Sequence, residues 1–285
     1  MDKPQTLLKF LHAESSSDSI DSMDNKVKFN KPPVVEVVCG VAFQSLDAMR
    51  VVHLGEFLKL LPGEFERLED MLPIVTPGAE SVIDWSSVPP LPRVWYLTGN
   101  EEKLVQVQRD RFLYNWKCLD QNKTYPEFTR IFPEFLERYQ DFVGFVSSHD
   151  LGKIDIRQFE LTYVNHIYKS QLDGAVDQLR EVLRQVGPAS SSGKFLPLPS
   201  AFRSTETYDL PEDNGKLHVT AQSARKTDGS DDGELLRLDL TVRGIGAGTS
   251  LEQMKSWFGL AHDWIVNGFV DVTNPKIQSS IWEKE

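Results

Sequence analysis

The sequence predicts an α+β fold made of one unit used twice: a strand, a helix, three or four antiparallel strands and a long closing helix. Three observations carry this. Motifs recur in order at an offset of about 124 residues, more regularly than short chance matches would. Val35-Glu36-Val37 matches Phe159-Glu160-Leu161, Phe57 to Leu61 matches Val182 to Val186, and Gly144-Phe145-Val146 matches Gly268-Phe269-Val270. Each half contains β-favouring runs of period two. Each half also ends in a stretch whose apolar residues follow the helical period.

Residues 1–30 are expected to be a flexible leader, because Ala13 to Asn25 is polar and acidic with almost nothing to bury. The first unit, residues 31–150, opens at Pro32-Pro33 with a Val-rich strand from Val34 to Ser45. A short helix around His53 to Leu61 is stopped by Pro62-Gly63. Leu72 to Pro92 reads as broken strands and turns. Val94 to Leu97 then turns through Gly99-Asn100-Glu101-Glu102 into one long strand, Lys103 to Cys118, which contains no Gly or Pro. Phe128, Ile131, Phe132, Phe135, Leu136, Tyr139, Phe142, Val143 and Val146 form a helical stripe, within which Pro133 should kink the helix or mark a late start.

The second unit, residues 151–285, repeats these events. Ile156 to Tyr168 is its opening strand and Ala175 to Val186 its short helix, followed by a loop over Gly187-Pro188 and Ser190 to Gly193. Strands Leu217 to Ala224 and Leu235 to Arg243 flank the acidic turn Asp228 to Gly233. The last helix carries Leu251, Met254, Trp257, Phe258, Ala261, Ile265, Phe269 and Val272 on one stripe. Ser250 followed by Gln253 is a capping-box start for it. A sheet with its helices on one side leaves the other face open. By fold analogy alone, this order resembles the duplicated saddle of TATA-box-binding proteins and the helix-grip folds.

Composition narrows the function. At 285 residues, 40% hydrophobic and 26% charged, the chain is an ordinary globular protein with no run of about 20 apolar residues and no signal-peptide pattern. A cytoplasmic protein is expected. A net charge of −11 disfavours indiscriminate binding to nucleic acid or anionic membranes. Cys39 and Cys118 read as reduced thiols in strands.

The period-two rule sorts the strand faces. Phe112, Tyr114 and Trp116 should pack under the helices, with Leu236, Leu238, Leu240 and Val242. Arg109, Arg111, Asn115 and Lys117 should then share the open face with Arg237, Asp239, Thr241 and Arg243. Glu36, Glu160, Thr162 and His166 should join them, while Asn165 should point to the packed side.

Pro32 to Val38, Gln108 to Lys117 and Glu160 to Ile167, taken in order, resemble a sporadically distributed family of uncharacterised bacterial and archaeal proteins with no established activity. The resemblance covers about Lys28 to Glu285. It departs in a longer leader and in Lys117, where arginine is expected. A patchy distribution implies an accessory role on mobile or defence islands, and the resemblance supplies no catalytic residues.

No enzyme signature emerges. Gly244-Ile245-Gly246-Ala247-Gly248 lacks the spacing of a dinucleotide or phosphate loop and reads as a strand-to-helix joint. The six His show no metal-ligand spacing, and His262 reads as a packed or boundary residue. No catalytic residue, metal or cofactor is assigned. The expectation is a non-enzymatic binding or adaptor protein that uses Arg109, Arg111, Asn115, Lys117, Asn165 and His166 to hold a protein partner or a second copy of itself. Two alternatives stay open. One is a nucleic acid or nucleotide on a basic sheet face; the other is an enzyme site assembled from Glu36, Glu160, His166, Arg109 and Arg111.

Overall fold

A computed structural model describes residues 27–74, 91–119, 124–172, 174–186, 191–225 and 233–285. In the first half, β1 is Val34–Phe43, α1 is Val51–Phe57, β2 is Phe65–Met71, β3 is Arg93–Thr98, β4 is Lys103–Gln108, β5 is Arg111–Lys117 and α2 is Phe128–Ser148. The second half has β6 at Ile156–Tyr168, β7 at Arg203–Asp209, β8 at Lys216–Arg225, β9 at Glu234–Gly244, α3 at Leu251–Val272 and α4 at Pro275–Ser280. The nine strands of the described residues make one sheet in the order β2-β3-β4-β5-β1-β6-β9-β8-β7. Every neighbouring pair is antiparallel.

The central strands set which face is covered. Val37 lies opposite Trp116 and Tyr163, Cys39 opposite Tyr114 and Leu161, and Val41 opposite Phe112 and Phe159. Leu240 and Val242 continue these rows on β9. All are buried beneath α2 and α3 in one continuous core. Rings join the two helices, since Phe258 of α3 sits 5.1 Å from Phe132 and 5.2 Å from Phe135 of α2. Alternation thus puts the apolar half of each strand where the helical stripes can bury it.

Both long helices start and run as their sequences demand. Ser250 Oγ accepts from Gln253 N at 3.3 Å, and Gln253 Oε1 accepts from Ser250 N at 3.1 Å. Ser250→Ala should therefore lower stability by about 1 kcal/mol in chemical denaturation, with no loss of native helix content. Ahead of this cap, Gly246 takes φ +63°, a left-handed turn between β9 and α3 that suits glycine. Pro133 sits in the second turn of an unbroken α2, so the carbonyl it leaves without an N–H belongs to the exposed Thr129.

Four expectations are corrected. Lys103 to Cys118 is not one strand, because Arg109-Asp110 turns it into the β4–β5 hairpin. Tertiary contacts hold that turn without glycine. Phe43 N donates to Asp110 O at 2.9 Å, Leu46 N donates to Arg109 O at 3.0 Å, and Gln108 Nε2 donates to Asp110 Oδ1 at 2.6 Å. Ala175 to Val186 is not an α-helix but holds a single 3-10 turn, Leu179–Val182. Its backbone is claimed instead by the end of α3: Arg184 N donates to Val272 O at 2.9 Å, and Asn274 N donates to Val182 O at 2.8 Å. The polar edge strands β2 and β7 were not expected at all. Residues 27–30 of the expected leader are paired rather than loose, with Phe29 bridged to Lys284. Residues 1–26, most of Leu72 to Pro92 and most of the acidic turn Asp228 to Gly233 lie outside the described residues.

Candidate functional site

On the face turned away from α2 and α3, the first half carries a connected polar layer. Gln106 Oε1 accepts from Arg93 Nη1 and from Trp95 Nε1, each at 2.9 Å. Gln106 Nε2 donates to Asn115 Oδ1 at 2.7 Å, and Asn115 Nδ2 donates to Glu36 Oε1 at 2.6 Å. Lys117 Nζ lies 4.9 Å from the centre of the Trp95 ring, and the Arg93 guanidinium 5.5 Å from it. One chain of contacts thus runs from β3 through β4 and β5 to β1.

This part of the face is buried, not open. Asn115 and Leu113 are 4% exposed, and Arg111 is 7%. The chain leaving the edge strand β2 folds back across it: Ile74 N donates to Gln108 Oε1 at 2.8 Å, and Gln108 Nε2 donates to Ile74 O at 3.0 Å. Burial, reinforced by the nearby charge of Arg111, lowers the pKa of Arg93. The second half is partly solvated and laced by pairs within and between its strands instead. Arg243 Nε meets Glu160 Oε2 at 2.5 Å, Arg237 Nε meets both oxygens of Asp239 at 2.9 Å, and the hydroxyls of Thr162 and Thr241 lie 2.9 Å apart.

The two regions meet at a groove of about 1200 Å³ by the Pro32-Pro33 end of β1. Glu36 from β1, Lys117 from β5, His166 from β6 and Arg237 from β9 line it, with apolar surface from Val164 and Ile281. His166 is the register partner of Arg237. Burial, with that guanidinium alongside, lowers the His166 pKa, so the groove presents a neutral imidazole at pH 7.

Of the six expected site residues, Lys117 and His166 share the groove, and Asn115 reaches it through Glu36. Arg111 stands at the other end of β5, about 20 Å along the strand, and Arg109 lies in the turn beyond it. Neither guanidinium joins Lys117. Asn165 points to the helix side, where its Nδ2 donates to Leu238 O at 3.0 Å. The dispersed enzyme set separates too, because Glu160 is held by Arg243 while Arg109 and Arg111 lie at the far hairpin.

Trp95, Gln106 and Arg93 were missed as parts of this face. The alternation Arg93-Val94-Trp95-Tyr96 was the available signal. Among the described residues, no group of three or more His, Cys, Asp or Glu is placed to hold a metal ion, and no helix is long and apolar enough to cross a membrane. Neither Cys39 nor Cys118 is in a disulfide among the described residues, and burial pushes the Cys39 thiol up. Compared with protein-family models and with curated proteins, the chain matches none.

Proposed function

We propose that this chain is a non-enzymatic binding or adaptor protein whose groove at the β1–β6 junction grips a segment of a protein partner. The groove itself supports this most directly: four strands from both halves bring a carboxylate, two cations and a neutral imidazole beside apolar surface, the mixture from which protein interfaces build anchors. Its cations are already offset. Arg237 is held by Asp239, Lys31 by Glu283, and Lys117 lies by Trp95. With a net charge of −11 over the chain, this favours a protein over a nucleic acid, which needs uncompensated positive charge.

The same proposal includes the duplication. β1 and β6 begin at Val34 and Ile156, β5 and β9 at Arg111 and Glu234, and α2 and α3 at Phe128 and Leu251, all close to the spacing of the repeated motifs. Outward from β1 come β5, β4 and β3; outward from β6 come β9, β8 and β7. Such mirrored halves suit a saddle like that of TATA-box-binding proteins, with the partner held on the side away from the helices. The family resemblance noted above is compatible with an accessory role of this kind.

Affinity purification of the tagged full chain from its host, with mass spectrometry, tests the reading. The native chain should recover a specific protein that the Lys117→Ala, Arg237→Ala double variant recovers far less, at an unchanged melting temperature. Equal recovery by the variant would place binding elsewhere. Recovery of nucleic acid, released between low and moderate salt, would overturn the choice of partner.

A further inference from the structure

A second cavity, of about 200 Å³, adjoins the groove at Pro32, Pro33, Val34 and Tyr125 and reaches to the helix side of the sheet, between β6, the start of α2, the middle of α3 and the N-terminal residues 27–29. Its walls are largely apolar, with Phe29, Phe128 and Phe269 among the rings and Leu240 and Ile265 beside them. Lys28 and Glu127, 3.5 Å apart, both line it. An apolar cavity of about 150 Å³ is large enough to take up benzene.

Polar groups of Tyr125, Tyr163, His262 and Asn165 interrupt the apolar wall. The Tyr125 and Tyr163 hydroxyls are 2.9 Å apart, and Tyr163 Oη is 2.9 Å from His262 Nδ1. Either atom of the Tyr163–His262 bond can donate; in the tautomer where Tyr163 donates to Nδ1, the neutral imidazole carries its proton on Nε2, which has no hydrogen-bond partner among the described residues. The ring is fixed by stacking on Phe128, at 4.5 Å and 9°. Asn165 is only 2% exposed. Its Nδ2 is used by Leu238 O, and its Oδ1 has no partner among the described residues. Both residues line the cavity. Neither atom is sealed from solvent, and both belong to residues that line the chamber, so its largely apolar wall offers an occupant one hydrogen-bond acceptor and one donor.

We propose that this cavity binds a flat aromatic molecule of one or two rings, with an N–H that donates to Asn165 Oδ1 and a ring nitrogen that accepts from His262 Nε2. Such a ligand matches the ring-lined walls by shape and the two polar atoms by chemistry. The cavity borders the groove at Pro32, Pro33, Val34 and Tyr125, but Asn165 and His262 line only the cavity and Lys117 and Arg237 only the groove, so variants of one set test one proposal without touching the other.

Three bicyclic probes decide it, titrated into the full chain by calorimetry and methyl NMR. Benzimidazole offers both donor and acceptor, indole the donor alone, and indene neither. Benzimidazole should bind at least about tenfold more tightly than indene, with indole between them, and each bound ring should shift the methyl signals of Ile265 and Val266. Val266→Phe, which fills the chamber from a half-buried position on α3, should abolish these shifts. Equal affinities for the three probes, shifts confined to other methyls, or no response at millimolar probe would each overturn the proposal. Should Val266→Phe fail to fold, the order of affinities and the methyl shifts in the native chain still give the answer.

Discussion

Phe258→Ala should lower the free energy of unfolding by about 3–5 kcal/mol, the range for deleting a fully buried aromatic side chain. Phe258 is 0% exposed. Its ring contacts α2 of the first half through Phe132 and Phe135, and β6 through Phe159 at 5.8 Å. Trp257 beside it packs edge-on at 5.1 Å. The space it fills is walled by elements from both halves, each already committed to the sheet, so the cavity left behind cannot readily collapse. Since the sheet is continuous through β1 and β6, chemical denaturation should show one transition shifted as a whole. A loss below about 1.5 kcal/mol would mean that the helices do not close on one another here. Two transitions, of which only one moves, would mean that the halves unfold as separate units.

The elements legible in the sequence were those whose own periodicity agreed with their burial. β6 begins and ends where its alternation does, at Ile156 and Tyr168, and α3 starts one residue after the cap read at Ser250. The elements that escaped depend on contacts made elsewhere. β2 and β7 are polar edge strands without an apolar face to announce them, a usual condition of edges exposed to solvent. Arg109-Asp110 turns because Phe43 and Leu46 bind its carbonyls, and no local turn residue signals that. Val182-Leu183 has the apolar character of a helix but spends its backbone hydrogen bonds on the end of α3.

The candidate site was legible to the same degree. Alternation placed Lys117 and His166 on one face and Asn165 on the other. It could not show that Ile74 returns to Gln108 or that Arg111 is buried, because both depend on contacts made beyond the strand itself. Nor could spacing pair Tyr163 with His262, which are 99 residues apart. Such a pair forms only when β6 and α3 pack, and the single histidine on an apolar stripe gives no separate signal.

His262 supplies the second large effect, a loss of stability in mild acid. Burial lowers its pKa from the ordinary 6.5 to about 4, so the folded chain holds a neutral imidazole where the unfolded chain takes up a proton. Its contribution is complete above pH 6.5 and disappears as pH falls toward 4, amounting to about 3 kcal/mol across that window. Tyr163 from β6 and Phe128 from α2 face the ring, and Glu127, paired with Lys28, lines the same cavity. The neighbouring Asp263 acts oppositely, because burial raises its carboxyl pKa and protonation relieves that cost. His166 and His218, both lowered chiefly by burial, slope the same way as His262. A difference measurement separates these terms. His262→Phe preserves a ring against Phe128 but cannot take up a proton and leaves the Tyr163 hydroxyl without Nδ1. The variant should start less stable at pH 7 and lose less between pH 6.5 and 4, so the gap between the two proteins should narrow or reverse. Parallel stability curves from urea titrations across that range would show that His262 is not held neutral by the fold.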